Sequence, residues 1–290
     1  MATPAQWLEG ARPRTLPAAV APVAAGTGAA AALDEFSPAR AALALVVALA
    51  LQAGVNYAND YSDGVRGTDA DRVGPLRLVG SGVAAPAAVK RAALLAFAVA
   101  AVGGLVLAAL TAWWLVAVGA GCLLAAWFYT GGRKPYGYRG LGELSVFVFF
   151  GLVATVGTTY VQAERVTGAS LLAGVGCGAL ACAILVANNL RDLPNDAEAG
   201  KITLAVRLGD RRTRGLYAGL VVLAYAAAAT LVAVTWWAVL PVATVVMSIP
   251  AVRAVRSGAG GPALVPVLQA TGATLLAYGV ALGVALALSA

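Results

Sequence analysis

Histidine is absent from this chain of 290 residues, and charge is scarce: 11% of the residues are charged and 61% are hydrophobic. Without imidazole there is no histidine general base, haem ligand or zinc ligand, so any ion site has to be built from oxygen. Cysteine is nearly absent too. Cys122, Cys177 and Cys182 all fall in apolar runs, are odd in number and lack CxxC spacing, which leaves them as small packing residues. Soluble globular chains are typically about 45–50% apolar and about 25% charged. The apolar excess here does not fit into one soluble core, so the composition points to an integral membrane protein. The N-terminal stretch MATPAQWLEGARPRTLPAAV has no short apolar region ending in a cleavage site, so the first helix is expected to stay in the mature protein.

What is present is a series of long apolar windows. A helix crossing a ~30 Å hydrocarbon core needs ~20 mainly apolar residues. Nine windows qualify, at roughly 15–33, 41–60, 90–110, 112–130, 142–162, 168–190, 213–232, 236–253 and 263–288. Tight turns at Thr111–Trp114 and Thr235–Trp237 carry tryptophan pairs, which suit a membrane interface, and the many Gly and Ala suit close helix packing. With nine spans, the N-terminus and the loops after spans 2, 4, 6 and 8 share one side. That side holds every basic residue except Arg40 and Arg165. The positive-inside rule then makes it the cytoplasmic side. The expected fold is an all-α polytopic membrane protein, with nine transmembrane helices, in the cell (plasma) membrane. The net charge of +7 follows from this bias and from attraction to anionic lipid headgroups, with no nucleic acid as partner.

Two polar clusters break the apolar pattern. The run Ala41–Val55 contains one polar side chain, Gln52, and ends in NYANDYSDGVRGTDADR (56–72); span 6 ends in NNLRDLPNDAEAGKITLAVRLG (188–209). Both open in a similar frame, Asn56-x3-Asp60-x2-Asp63 and Asn188-x3-Asp192-x3-Asp196. Four spans separate them, so both open on the same side. This reads as one membrane domain over 1–290 with pseudo-repeat halves at about 15–130 and 142–253, plus a last helix at 263–288. Positions i, i+4 and i+7 or i+8 lie on one helical face, so each set forms a stripe. Proline disfavours helical geometry in its predecessor, and Leu193-Pro194 is expected to end the second helix with Asp196 beyond it. Asp69 and Asp71 lie off the first stripe and read as loop residues.

Facing carboxylates without histidine suit Mg²⁺, a hard cation commonly held by a few carboxylates plus phosphate oxygens. Bound Mg²⁺ neutralises a diphosphate and improves it as a leaving group. Arg66, Arg72, Arg77, Arg191 and Lys201 are candidates for the remaining phosphate oxygens, with Arg66 and Lys201 nearest the acids; a topological role for each is the alternative. A metal–diphosphate site opening among apolar helices fits a polyprenyl diphosphate.

These residues resemble the paired aspartate-rich motifs of the UbiA superfamily of intramembrane aromatic prenyltransferases. The likeness covers most of the chain: ARPRTLPAAVAPVAAG, NYANDYSDGVRGTD followed by RVGPLRLVGSG, YTGGRKPYGYRGLGEL, and NNLRDLPNDAEAGKITLAVRLG. The GPLR-x3-SG and YGYRGLGEL segments are similar to the branch that prenylates 1,4-dihydroxy-2-naphthoate in menaquinone synthesis. The resemblance implies nine helices around a central cavity, Mg²⁺ dependence, and prenyl transfer to an aromatic acceptor that loses its carboxylate as CO₂. It implies Asn56, Asp60 and Asp63 at a first metal and Asp192 and Asp196 at a second, the four aspartates being the expected catalytic set. Lys134, Tyr136, Tyr138, Arg139, Glu143 and Asn188 are expected near the acceptor. The superfamily often has an acid at the position of Gly64, where this chain has Asp63 one residue earlier. Within the class, 4-hydroxybenzoate, homogentisate, haem or a sugar phosphate are rival acceptors. Outside it, a cation transporter is the rival, although transport sites usually lie near the bilayer midplane and these acids lie at helix ends.

Overall fold

A computed structural model describes residues 2–67 and 76–290. Arg72, Asp69 and Asp71 lie outside the described residues. Among those described, all regular structure is helical. A short helix, α1 (Pro4–Gly10), is capped by Thr3 and followed by a 3₁₀ turn at Pro13–Thr15. Among the described residues nine apolar helices follow: α2 (Pro17–Ala31), α3 (Pro38–Arg66), α4 (Pro86–Leu110), α5 (Leu115–Phe128), α6 (Gly142–Ala163), α7 (Gly168–Glu198), α8 (Leu204–Leu231), α9 (Trp236–Arg256) and α10 (Gly261–Ala287). Each expected window therefore contains a helix. Seven are long and apolar enough to cross a membrane, while α2 and α5 have 15 and 14 residues. At 1.5 Å per residue these two reach only about 22 Å.

Local chemistry explains the boundaries. α3 starts at Pro38 behind an N-cap, Ser37, whose hydroxyl accepts from Arg40 N, and ends at Gly67 in the left-handed region, φ 73°. α7 starts with a capping box between Thr167 and Ser170. Its far end departs from expectation: Pro194 lies inside α7, and Asp196 is in the helix, not beyond it. Proline deletes a single backbone donor, N194, so near a C-terminus it disturbs little of the ladder. The helix is then held by packing, since α7 runs buried among α2, α6, α8 and α10.

That packing is close. A Cβ on Gly28 of α2 would sit 2.0 Å from the Gly283 carbonyl oxygen of α10, so only glycine permits this crossing. The core gathers on the α7–α10 side, whereas α3, α4 and α5 form a second, smaller group. Between them lies a cavity of ≈ 1190 Å³. α6 borders it with a π-helical stretch, Phe147–Val153, which turns Phe149, Phe150 and Val153 to the cavity wall. The turn tryptophans Trp113, Trp114 and Trp236 are exposed. Arg40, one of the two basic residues on the sparsely charged side, donates to Leu110 O (2.8 Å) and Val161 O (3.0 Å). It thereby caps the carbonyl ends of α4 and α6, where a cation is favoured.

Candidate active site

The polar end of the cavity is built where α3 and α7 finish. Asn56, Asp60 and Asp63 share the last turns of α3 and all three are buried. Asp60 accepts two backbone N–H groups, Leu78 (2.8 Å) and Val79 (3.0 Å). The 76–84 segment, which contains the RLVGSG sequence, thus folds back onto the helix end. Gly64 is the reason it can. A Cβ there would lie 2.5 Å from Val79 Cγ1, so a carboxylate at position 64 would displace the segment. Asp63 accepts from the Tyr138 hydroxyl at 2.5 Å.

On α7, Asp192 receives both prongs of Arg191, Nε at 2.7 Å and Nη2 at 2.8 Å. Nη2 also donates to Asn188 Oδ1 at 2.8 Å. Asp196 pairs with Lys201 at 3.2 Å. Tyr138 joins the two motifs. Its ring has the Arg66 guanidinium at 5.5 Å and the Lys201 ammonium at 5.4 Å, both within cation–π range. Arg66 further donates to the Thr130 and Gly132 carbonyls. The end of α3 and the loops after α5 and α7 are thereby tied together at one end of the bundle.

Of the expected site residues, Asn56, Arg77, Tyr136, Asn188 and Arg191 line the cavity. Asp60, Asp63, Asp192 and Asp196 sit behind this lining in the polar contacts just given. Lys134 and Arg139 are exposed on the surface. Glu143 is buried, with its carboxylate accepting from Asn189 Nδ2 at 2.9 Å, and does not line the cavity. Arg12, Thr15, Gln52, Asn59 and Tyr129 also line it, and the sequence reading had assigned none of them. One signal was available: Gln52 is the lone polar residue of its run.

Tyr129 and Tyr136 meet edge to face at 5.5 Å. Burial lifts the Tyr129 phenol far above its ordinary range, with Glu143 the next contributor. Burial also raises Tyr136, opposed by its hydrogen bond with Ser145. Both phenols stay neutral at physiological pH and present aromatic surface instead of a base.

Among the described residues no three acidic or sulfur side chains converge as a ready metal cage. For magnesium this still fits. That ion is usually held by one or two carboxylates plus waters and substrate phosphates, not by an all-protein cage. Each motif here supplies buried carboxylates, and the donors are all oxygen. Asn56 adds an oriented amide. Thr15 Oγ1 donates its one proton to Arg12 O (2.9 Å), so it must accept from Asn56 Nδ2 (3.1 Å), which leaves the carbonyl oxygen of Asn56 over.

The UbiA prenyltransferase family model matches residues 19–260. This chain is a member of the UbiA prenyltransferase family. It is 58% identical over 287 residues to a 1,4-dihydroxy-2-naphthoate octaprenyltransferase of Mycobacterium tuberculosis, covering 99% of this chain and 98% of that protein. It is 42% identical over 219 residues to the enzyme of the same name from Escherichia coli, covering 73% and 71%. The fold matches a UbiA homologue from Archaeoglobus fulgidus bound to GPP and Mg²⁺, with TM-score 0.69 and 16% identity over 96% of this chain and 99% of that one. It also matches the apo structure of a UbiA homologue from Aeropyrum pernix K1, with TM-score 0.71 and 16% identity over 91% and 96%.

Proposed function

We propose that this protein transfers a polyprenyl group from polyprenyl diphosphate to 1,4-dihydroxy-2-naphthoate with loss of CO₂, giving demethylmenaquinone in its quinol form. The observation that carries the reading is the cavity itself. One end gathers two carboxylate motifs and their cations, and the walls beyond, from α3–α6, are apolar. A molecule with an anionic head and a long hydrocarbon tail matches both parts. The near full-length identity to a naphthoate prenyltransferase supports the choice of acceptor.

Asp60, Asp63, Asp192, Asp196 and Asn56 would hold magnesium, and the ion would supply charge neutralisation of the diphosphate. Arg191 and Arg77 hold phosphate oxygens from the cavity wall, with Arg66 at the end of α3 and Lys201 in the loop after α7 in support; Arg72, outside the described residues, is a further candidate for the same task. The allylic C–O bond breaks and its electron pair leaves with the diphosphate. The ring carbon bearing the carboxylate then bonds to the allylic carbon. The C–CO₂ bond breaks in turn, and its electrons restore the aromatic ring. Tyr129 and Tyr136 supply neutral π-faces near the developing allylic cation. The reaction asks for positioning and charge stabilisation, not for a strong base, and a site without histidine meets that demand.

The membrane arrangement belongs to the same proposal. All nine apolar helices cross the cell membrane, the two short ones within a bilayer locally matched by their neighbours. The N-terminus and the acidic end face the cytoplasm. The chain is one domain whose halves, α2–α5 and α6–α9, are related by an internal repeat, with α10 added. The close pairing of α3 with α4 and of α7 with α8 supports that relation.

The test is a turnover assay with purified protein, Mg²⁺, a long prenyl diphosphate, and either the naphthoate or 4-hydroxybenzoate. A prenylated, decarboxylated naphthoquinol is expected. Product from 4-hydroxybenzoate and none from the naphthoate would overturn the acceptor assignment.

A further inference from the structure

Two buried polar atoms near the N-terminal turn have no protein partner: Arg12 Nη2 and Gln52 Oε1. Both residues line the cavity, and Gln52 is only 6% exposed. No ion pair involves Arg12 among the described residues. An orphaned buried polar atom is costly, so two of them in residues that line one cavity call for an explanation.

Thr15 fixes how the two are presented. Its hydroxyl proton goes to Arg12 O, so its oxygen accepts from Gln52 Nε2 at 2.7 Å. The amide of Gln52 is thereby oriented, with its carbonyl oxygen left as an acceptor and not interchangeable with the nitrogen. Arg12 itself adopts φ 55°, ψ 70°, a left-handed conformation that residues with a side chain seldom adopt. Through Thr15 the turn that carries Arg12 is tied to Gln52, and both a cationic donor and a neutral acceptor face the same cavity. Gln52 lies four residues before Asn56, about 6 Å along α3, and thus about one turn from the acidic motif.

We propose that Arg12 and Gln52 form the subsite for the acceptor's carboxylate and an adjacent hydroxyl. The inference rests on the aromatic-acid acceptor assigned above. The planar fork of arginine matches a carboxylate, and the Gln52 carbonyl takes the proton of a ring hydroxyl. A fully ionised diphosphate offers no O–H, so it would leave Gln52 Oε1 unsatisfied; a hydroxy-aromatic acid satisfies both atoms. Seated here, its ring lies one turn from the metal motif, where the allylic carbon is released.

The experiment compares Arg12→Gln, Arg12→Lys and Gln52→Leu with the unaltered protein. KM for acceptor and for donor would be measured, together with equilibrium binding of the naphthoate without magnesium or donor. Arg12→Gln is expected to raise acceptor KM and weaken naphthoate binding roughly tenfold to a hundredfold, with donor KM unchanged and Arg12→Lys restoring part of the loss. Gln52→Leu is expected to weaken naphthoate binding roughly fivefold. Binding of the carboxylate-free 1,4-naphthoquinol should be the same with and without Arg12. An increase in donor KM alone, or naphthoate binding unchanged in Arg12→Gln, would overturn the proposal. The titration is repeated with 4-hydroxybenzoate. If only that acid binds the unaltered protein, the ring assignment fails, while its dependence on Arg12 still decides the carboxylate subsite.

Discussion

Asp60 and Asp192 occupy the same place in the two acidic frames, four residues after an asparagine, yet they are stabilised in different ways. Asp60 accepts two backbone N–H groups from the returning 76–84 segment. Asp192 takes both prongs of a buried arginine on its own helix. The asparagines differ to match: Asn56 gives its amide protons to the N-terminal turn, and Asn188 gives its oxygen to Arg191. Asp60 is held by neutral dipoles, and Asp192 by an arginine that lines the cavity. A shared sequence frame therefore does not imply a shared environment: Asp60 is held by backbone donors, and Asp192 by a basic side chain on its own helix.

This difference can be broken in graded ways. Asp60→Ala and Asp192→Ala should each reduce turnover by at least about a hundredfold, the scale of losing one charge-stabilising group; initial rates in reconstituted membranes would measure it. Stability should separate the two. Asp192→Ala strands a buried guanidinium, at a cost of about 3–5 kcal/mol, whereas Asp60→Ala leaves two backbone donors unpaired, about 1–3 kcal/mol each at most. Adding Arg191→Ala to Asp192→Ala should restore stability without restoring turnover, as a double-mutant cycle by thermal denaturation would detect. Gly64→Ala should cost about 1–3 kcal/mol by overpacking against Val79, and should slow turnover through the displaced donors of Asp60. The smallest effect is expected from Tyr138→Phe, about 1 kcal/mol from one hydrogen bond, since its ring and the two cations beside it remain.

Much of this was legible in the sequence because the signals are long or repeated. Nine apolar windows, the one-sided basic residues and the paired frames each rest on many residues, and the helices fall where those windows lie. Less legible were features that depend on packing. Pro194 reads locally as a helix stop, but a proline near the C-terminus of a deeply packed helix removes only one donor, so Asp196 stays helical. Glu143 shares a loop region with Tyr136 and Tyr138, yet its side chain turns to Asn189 and away from the cavity. Arg12 resembles any basic residue before a first span. What sets it apart is a contact no sequence pattern shows: Thr15, whose hydroxyl donates to the Arg12 carbonyl, orients Gln52 from 37 positions away.

The central claim is that both acidic motifs serve one metal-bound diphosphate. Equilibrium binding of a non-hydrolysable prenyl thiodiphosphate across a magnesium titration, in the unaltered protein and in Asp60→Asn and Asp192→Asn, tests it most directly. The account expects tight binding only with magnesium, and loss of that magnesium dependence in each variant alone. Binding in either variant with the unaltered magnesium dependence would contradict it.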